Sequence, residues 1–276
     1  MTIQLVYIAT SVYCNFADKL FASLDNLFPG SQKIIDILTD NLEYFEKFRN
    51  DSFLKFNVHK IYQLPYPIVN YMKFSYIKGV LDYDADATIF VDADSSFIER
   101  PADFWANISN HFYTGKVLIS YHIMYTKAIH DEIYIPGQNP YYDIKCVQTL
   151  QETDNTKASY IPYSEFLWIG ACFCAAAPKE FNKLCTKIEY LIGKDLKDHH
   201  YIPKVNEESY LNKALYEYYA GIDTSIQFVP NIFVVESSIV DFLPSPPGLC
   251  FVKIDADEVI KRKIKKNEYL YEEVIS

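Results

Sequence analysis

The chain has 276 residues, 50% of them hydrophobic and 22% charged, which is the balance of a globular protein with a substantial core. Its formal net charge of -10 opposes binding to nucleic acid, because contacts to a phosphate backbone need clustered Lys and Arg. No segment approaches the roughly 20 apolar residues of a membrane-spanning helix, and no basic region precedes an apolar one at the N-terminus. We therefore expect one soluble, cytoplasmic domain over residues 1–276, without a signal peptide or transmembrane segment.

Hydrophobic periodicity alternates between strand-like and helix-like segments along the chain. In chain order it predicts a strand at 3–10, a helix at 18–28, a turn at 28–31, a strand at 33–40, a helix at 41–50, a strand at 56–64, a helix at 69–83, a strand at 87–97, a helix at 100–115, strands at 116–125 and 166–177, helices at 178–196 and 207–220, and a strand at 225–235. The segment 127–160 lacks clear periodicity and is interpreted as a functional excursion. This order predicts an α/β protein with a mixed, mostly parallel sheet flanked by helices.

Asp92 and Asp94 follow an apolar strand and are separated by one residue. Two such carboxylates can converge where the chain leaves extended geometry, and their oxygens suit Mg²⁺ or Mn²⁺. These metals neutralise a diphosphate, which makes a nucleoside diphosphate a competent leaving group. Asp84 and Asp86 repeat the pattern upstream, so the triplet alone also fits a solvated strand end. The apolar residues on both sides of 92–94, in IFVDADSSF, favour the ligand role.

Glu207 and Glu208 form a second acidic pair, in VNEESYLNK at the start of a predicted helix. Acidic residues in a first helical turn also complement the helix dipole. The pair by itself therefore leaves a catalytic role and a structural role open.

Four segments together resemble one family, the retaining α-1,3-galactosyl- and N-acetylgalactosaminyltransferases, which include the histo-blood-group A and B enzymes and bacterial relatives. YIATSVY at 7–13 resembles the first strand and uracil-contacting segment, and IFVDADSSF resembles the metal motif. YIPYSEFLWIGACF at 160–173 resembles the acceptor- and donor-sugar segment, and NEESYLNKAL at 206–215 is similar to the HDESHLNKYL stretch. The resemblance implies a GT-A type, nucleotide-sugar-binding domain, in a bacterial or phage-type member without a membrane anchor.

The implied activity is transfer of galactose, N-acetylgalactosamine or glucose from a UDP-sugar to a hydroxyl of a glycan or lipid-linked sugar acceptor, forming an α-1,3 linkage with retention. Carried over residue by residue, the resemblance makes Glu208 the catalytic carboxylate and Asp92 and Asp94 the ligands of Mn²⁺ or Mg²⁺. Nucleotide contacts would come from Ile8, Thr10, Tyr13, Lys73, Asp92 and Lys253. Contacts to the donor or acceptor sugar would come from His122, Ile169, Gly170, Ala171, Glu207 and Glu208.

The resemblance also divides the chain into an N-terminal half that binds the nucleotide, a C-terminal half that binds the acceptor, and a flexible basic tail. Val205 and Asn206 replace a tryptophan and a histidine of the family on the acceptor side, so the acceptor is not copied from vertebrate relatives. Both metal-motif aspartates are present, so we predict metal dependence.

Two alternatives stay open at this point. A glycogenin-like retaining GT-A transferase also carries two aspartates, one residue apart, after an apolar strand. A non-catalytic nucleotide-sugar-binding protein could keep the same site on the same fold after losing activity.

Overall fold

Nine strands in the described part of the chain form one mixed sheet. The computed structural model describes residues 1–48, 54–65, 67–100, 102–121, 152, 154–162, 169–203, 205–236 and 249–253. The strands are β1 (Thr2–Ala9), β2 (Gln32–Thr39), β3 (Lys55–Lys60), β4 (Ala87–Val91), β5 (Ser95–Phe97), β6 (Lys116–Tyr121), β7 (Ile169–Ala176), β8 (Gln227–Glu236) and β9 (Leu249–Lys253). Their order across the sheet is β3-β2-β1-β4-β7-β6-β8-β9-β5.

Helices cover both faces of this sheet. They are α1 (Ala17–Ala22), α2 (Leu42–Phe45), α3 (Ile68–Gly79), α4 (Ala102–Tyr113), α5 (Pro178–His199) and α6 (Asn206–Tyr219). Pro178 opens α5 at a position where the missing N–H has no helical partner to lose. Among the described helices, none combines the length and the apolar character that crossing a membrane requires.

The directions of the strands bring several strand ends to one edge of the sheet. β3, β2, β1 and β4 run parallel, whereas β7 lies antiparallel between β4 and β6. The ends of β1, β4 and β6 and the beginning of β7 therefore lie together, at what we call the carboxyl edge. Ligand sites in α/β sheets collect at this edge.

The core is divided between the two faces of the sheet. In β1, Leu5 and Tyr7 pack in a cluster with α1 and α4, whereas Val6 packs in a second cluster with α3, α5 and α6. Alternation of this kind follows from the two-residue period of a strand. Because both faces are covered, central strands such as β4 are buried throughout and have an almost continuous apolar sequence.

The predicted α/β class and the mixed, mostly parallel sheet are confirmed, and the architecture is compatible with a Rossmann-like fold. The single strand predicted at 87–97 is instead two strands. The chain turns between them, where the Ser95 N–H donates to the Asp92 carbonyl at 3.2 Å. β9 was not predicted, because five apolar-rich residues after a proline cluster are too short to show a period.

The helix predicted at 18–28 is also shorter than expected. α1 ends at Ala22, and a 3₁₀ turn follows at Leu24–Asn26. The Ser23 hydroxyl donates to the Leu20 carbonyl at 2.7 Å and accepts from the Phe97 N–H at 2.9 Å. A serine that bonds to backbone in this way competes with the helical ladder, which is why the helix stops there.

Candidate functional site

Asp92 and Asp94 lie at the carboxyl edge, in the turn between β4 and β5, here called the 92–94 turn. The Asp92 N–H donates to the Cys172 carbonyl at 2.9 Å, which ties the turn to β7. The Asp92 side chain is partly exposed, whereas Asp94 is buried. The Tyr7 hydroxyl lies 3.4 Å from the carbonyl oxygens of Ala93 and Tyr13, so it connects the turn to the segment after β1.

The second Asp-Ala-Asp triplet, at 84–86, lies at the opposite end of β4. Asp84 and Asp86 are both exposed. A carboxylate oxygen of Asp86 accepts from the Thr2 N–H at 2.7 Å, which fastens the beginning of β1. Of the two triplets, the 92–94 triplet alone therefore lies at the carboxyl edge, where ligand sites in α/β sheets collect.

Lys73, on α3, joins the 92–94 turn to the acidic pair. Its ammonium Nζ lies 2.7 Å from Glu207 Oε1, 3.4 Å from Asp92 Oδ1 and 3.3 Å from the Ala171 carbonyl oxygen. The three N–H donors of an ammonium thus have three acceptors. Burial disfavours the charged ammonium, but Asp92 and Glu207 outweigh burial and raise the pKa of Lys73 above its ordinary value. Lys73 is therefore a fixed cation of the site.

Glu207 and Glu208 occupy the first turn of α6 but have different surroundings. Glu207 is buried against Lys73, and only 6% of its side chain is exposed. Burial raises the pKa of the Glu207 carboxyl, and the Lys73 ammonium opposes that rise. Glu208 is partly exposed, and its Oε2 accepts from the Ala171 N–H at 3.0 Å. Glu207 is thus held in an ion pair, whereas the partly exposed carboxylate of Glu208 is oriented by the backbone of β7.

A bulge in β7 supplies the backbone groups that hold these residues. Ile119 of β6 pairs with Cys174, but the next residue of β6, Ser120, pairs with Gly170, so residues 171–173 are skipped in the pairing with β6. At the skipped residues, the Ala171 N–H donates to Glu208, the Ala171 carbonyl accepts from Lys73, and the Cys172 carbonyl accepts from Asp92. Bulges of this kind occur next to functional sites, where they re-aim groups away from the ladder.

The three residues expected to contact uracil also lie at the carboxyl edge. Ile8 is near the end of β1, Thr10 directly follows it, and Tyr13 lies in the 3₁₀ helix Ser11–Phe16. All three are partly exposed. Ser11 has a left-handed backbone (φ 55°), and its N–H donates to Asp40 Oδ1 at 2.9 Å. This hydrogen bond to Asp40, the residue after β2, stabilises a backbone conformation that a serine rarely adopts.

The expected sugar-contacting residues Ile169, Gly170 and Ala171 begin β7 and are buried. Lys253 ends β9, and its backbone pairs with Ser95, the residue after Asp94. His122 and the predicted basic tail after Lys253 lie outside the described residues.

Sequence reasoning did not single out Asn212, one helical turn after Glu208. Its side-chain amide is fully buried and hydrogen-bonds to both backbone groups of Ile169 and to the Glu208 carbonyl, each at 2.9 Å. The signal was present in the sequence, because a polar residue occupies a position whose helical neighbours, Leu211 and Leu215, are core residues.

Within the described residues, no group of three or more His, Cys, Asp or Glu side chains is placed to hold a metal ion. The 92–94 turn offers two carboxylates at most. Mg²⁺ and similar hard cations commonly bind through one or two carboxylates together with substrate phosphates and water. The residues present therefore fit a cation that binds jointly with a diphosphate, and do not fit a cation enclosed by protein ligands alone.

The site thus combines two carboxylates at a strand end, a buried cation and one partly exposed carboxylate. Such a set can bind a metal-complexed diphosphate and hold a carboxylate near a reacting carbon. Neither a scan against models of protein families nor a search of curated proteins found a match to this chain.

Proposed function

We propose that this chain is a metal-dependent retaining glycosyltransferase of the GT-A type. It would move galactose, N-acetylgalactosamine or glucose from a UDP-sugar to a hydroxyl of a glycan or lipid-linked sugar, forming an α-1,3 linkage. The observation that carries the proposal is the pair of contacts that Lys73 makes to Asp92 and Glu207. Through these contacts two of the family-like stretches, IFVDADSSF and NEESYLNKAL, meet at one place on the carboxyl edge although they are far apart in the sequence.

The donor would lie along this edge. Its uracil would contact the segment after β1, through Ile8, Thr10 and Tyr13, and its diphosphate would reach the 92–94 turn. Mg²⁺ or Mn²⁺, held there by Asp92 and Asp94, would neutralise the diphosphate and favour its departure. The backbone pairing of Lys253 with Ser95 supports a role for the end of β9 beside the same phosphates.

Transfer breaks the bond between the anomeric carbon and the diphosphate oxygen, and the electron pair leaves on UDP. The acceptor oxygen forms a new bond to that carbon, and its proton passes to the departing phosphate or to solvent. Glu208 would stabilise the positive anomeric carbon or bond to it covalently. Its hydrogen bond from the Ala171 N–H orients the carboxylate before the donor binds, which lowers the entropic cost of reaching the reactive geometry.

The different surroundings of Glu207 and Glu208 support this division of roles. The negative charge of Glu207 is balanced by Lys73 at 2.7 Å, so Glu207 is suited to positioning and to contacting donor hydroxyls. Glu208 is partly exposed, and its carboxylate accepts from the Ala171 N–H at 3.0 Å, which orients it. It is therefore the carboxylate suited to a developing positive charge.

The test is donor hydrolysis by the purified protein with UDP-galactose, UDP-N-acetylgalactosamine and UDP-glucose, each with Mn²⁺ and with excess chelator. We expect one donor to be consumed with metal and none with chelator. The protein offers a matched pair of variants, because Asp92→Asn and Asp84→Asn alter the same Asp-Ala-Asp sequence at opposite ends of β4. Asp92→Asn should weaken UDP binding and abolish metal-dependent turnover, whereas Asp84→Asn should leave both unchanged.

Absence of UDP binding would refute the proposal. UDP binding without turnover of any donor would favour a non-catalytic nucleotide-sugar-binding protein instead. Equal activity after full chelation would exclude the metal role of Asp92 and Asp94. In active protein, the position of the new bond in the product separates the α-1,3 family from a glycogenin-like transferase.

A further inference from the structure

We propose that Asn212 is a positioning residue that sets the location of Glu208 relative to the 92–94 turn. The inference rests on the proposed function and adds to it a residue that touches neither donor nor acceptor.

Asn212 uses the full hydrogen-bonding capacity of its side-chain nitrogen. Oδ1 accepts from the Ile169 N–H, while the two Nδ2 hydrogens go to the carbonyls of Ile169 and Glu208, all at 2.9 Å. An amide that binds both backbone groups of one residue fixes its position and its orientation together. Asn212 therefore fastens α6 to the first residue of β7 in one defined register.

Glu208 is consequently held at two points. Asn212 binds its backbone carbonyl, and the Ala171 N–H binds its carboxylate at 3.0 Å. Ile169 and Ala171 belong to the same short backbone segment, and the Ser120 hydroxyl donates to the carbonyl of Gly170 between them at 3.1 Å. The next residue, Cys172, binds the Asp92 N–H. The short segment of β7 from Ile169 to Cys172 thus sets the distance between Glu208 and Asp92, and Asn212 connects α6 to this segment.

If packing were the only requirement at this position, an apolar residue would satisfy it. Asn212 is fully buried between Leu211 and Leu215 of the same core cluster along α6. Burying an amide is unfavourable unless its hydrogen bonds are made, and a fully satisfied buried amide specifies one arrangement over its alternatives. Asn212 therefore specifies the register between α6 and β7, which a leucine at the same position could not do.

Asn212→Ser separates positioning from folding. A serine hydroxyl can bond to the carbonyl four residues earlier in its own helix, which is Glu208, but it is too short to reproduce the two bonds to Ile169. We expect kcat to fall by about 10- to 100-fold, because displacement of a reacting group by about 1 Å is enough for such a loss, and KM for the UDP-sugar to change little. Leu215→Ala is the matched control, since it removes buried packing from the same helix without removing a polar group, and it should keep its kcat.

Amide hydrogen exchange provides a measurement that does not need turnover. In Asn212→Ser, exchange at residues 169–171 should accelerate by about tenfold or more, whereas Leu215→Ala should not accelerate these amides selectively. Unchanged kcat together with unchanged exchange at 169–171 would overturn the proposal, and so would equal losses of kcat in the two variants. If the unsubstituted protein consumes no UDP-sugar, the proposed function fails, while exchange still decides whether Asn212 holds the segment. Should Asn212→Ser not fold, Asn212→Asp, which keeps the acceptor for the Ile169 N–H, replaces it in both measurements.

Discussion

Removal of the Lys73 cation should destabilise the protein far more than removal of an ordinary surface lysine. In Lys73→Met the apolar stem is retained, but Glu207 keeps a carboxylate that is only 6% exposed and has lost its ammonium at 2.7 Å. Breaking a buried ion pair on one side leaves an uncompensated charge, which costs about 3–5 kcal/mol. Asp92 loses a contact at 3.4 Å as well, but its side chain is more exposed and contributes less.

The same helix provides a matched control. Lys78 forms an ion pair with Glu189, also at 2.7 Å, but the two side chains are 36% and 30% exposed. Exposed pairs contribute about 0–1 kcal/mol, so Lys78→Met should change the free energy of unfolding by no more than that. Any general effect of replacing a lysine in α3 by methionine appears in both variants and cancels in the comparison.

A second substitution tests whether the loss comes from Glu207. Adding Glu207→Gln to Lys73→Met removes the uncompensated charge, so most of the lost stability should return. The deficit should also depend on pH. Burial raises the pKa of Glu207 above its ordinary value even beside Lys73, and loss of the ammonium removes the charge that opposes this rise. The deficit is therefore small below the unfolded pKa of about 4.3, grows as pH rises from that value towards the raised folded pKa, and is complete above it.

Urea unfolding at pH 5 and pH 8, followed by circular dichroism, measures these differences. We expect Lys73→Met to be the least stable variant at pH 8, to approach the unsubstituted protein at pH 5, and to be rescued by Glu207→Gln. A cost as small as that of Lys78→Met, or no recovery in the double variant, would refute a buried Lys73–Glu207 pair at the centre of the site.

Two other substitutions test Glu208 at the candidate site and the buried Asp195 on α5. Glu208→Gln should keep UDP affinity but lower transfer by about 10²-fold or more, because the carboxylate acts only in the transition state; unchanged turnover in a donor assay would remove Glu208 from the mechanism. Asp195→Asn should cost about 1.5–3 kcal/mol, since the fully buried Asp195 carboxylate accepts from the Ala158 N–H and from the N–H and hydroxyl of Ser159 at 2.5–3.1 Å. Thermal unfolding checks the second prediction, and a melting temperature equal to that of the unsubstituted protein would contradict it.

Much of the architecture could be predicted from local pattern. Strong apolar runs such as those of β1 and β7 and the helical spacing of α5 carry their own periodicity, and each was found close to its predicted place. The errors fell where a local interaction or a short length overrides periodicity. The Ser23 hydroxyl ends α1 early, and β9 is too short to show a period.

The composition of the candidate site was also accessible from the sequence, but its assembly was not. Asp92, Asp94, Glu207 and Glu208 stand out as acidic pairs beside apolar segments. The apolar flanks of the 92–94 triplet favoured it over the 84–86 triplet, but the local pattern did not show that the two triplets lie at opposite ends of β4, and it did not distinguish Glu207 from Glu208 by environment. Asn212 was passed over because its hydrogen-bonding partner, Ile169, is distant in the chain.

The sequence by itself determined the α/β alternation and the acidic pairs, because these depend on residue type and on spacing over a few turns. The tertiary structure alone decided that β7 runs antiparallel between β4 and β6 and carries a bulge opposite Ser120. That placement brings Lys73 to Asp92 and Glu207, and Ala171 to Glu208. Contacts of this kind depend on strand order and on the packing of α3 and α6 against the sheet, which the free energy of the whole fold selects and no short segment encodes.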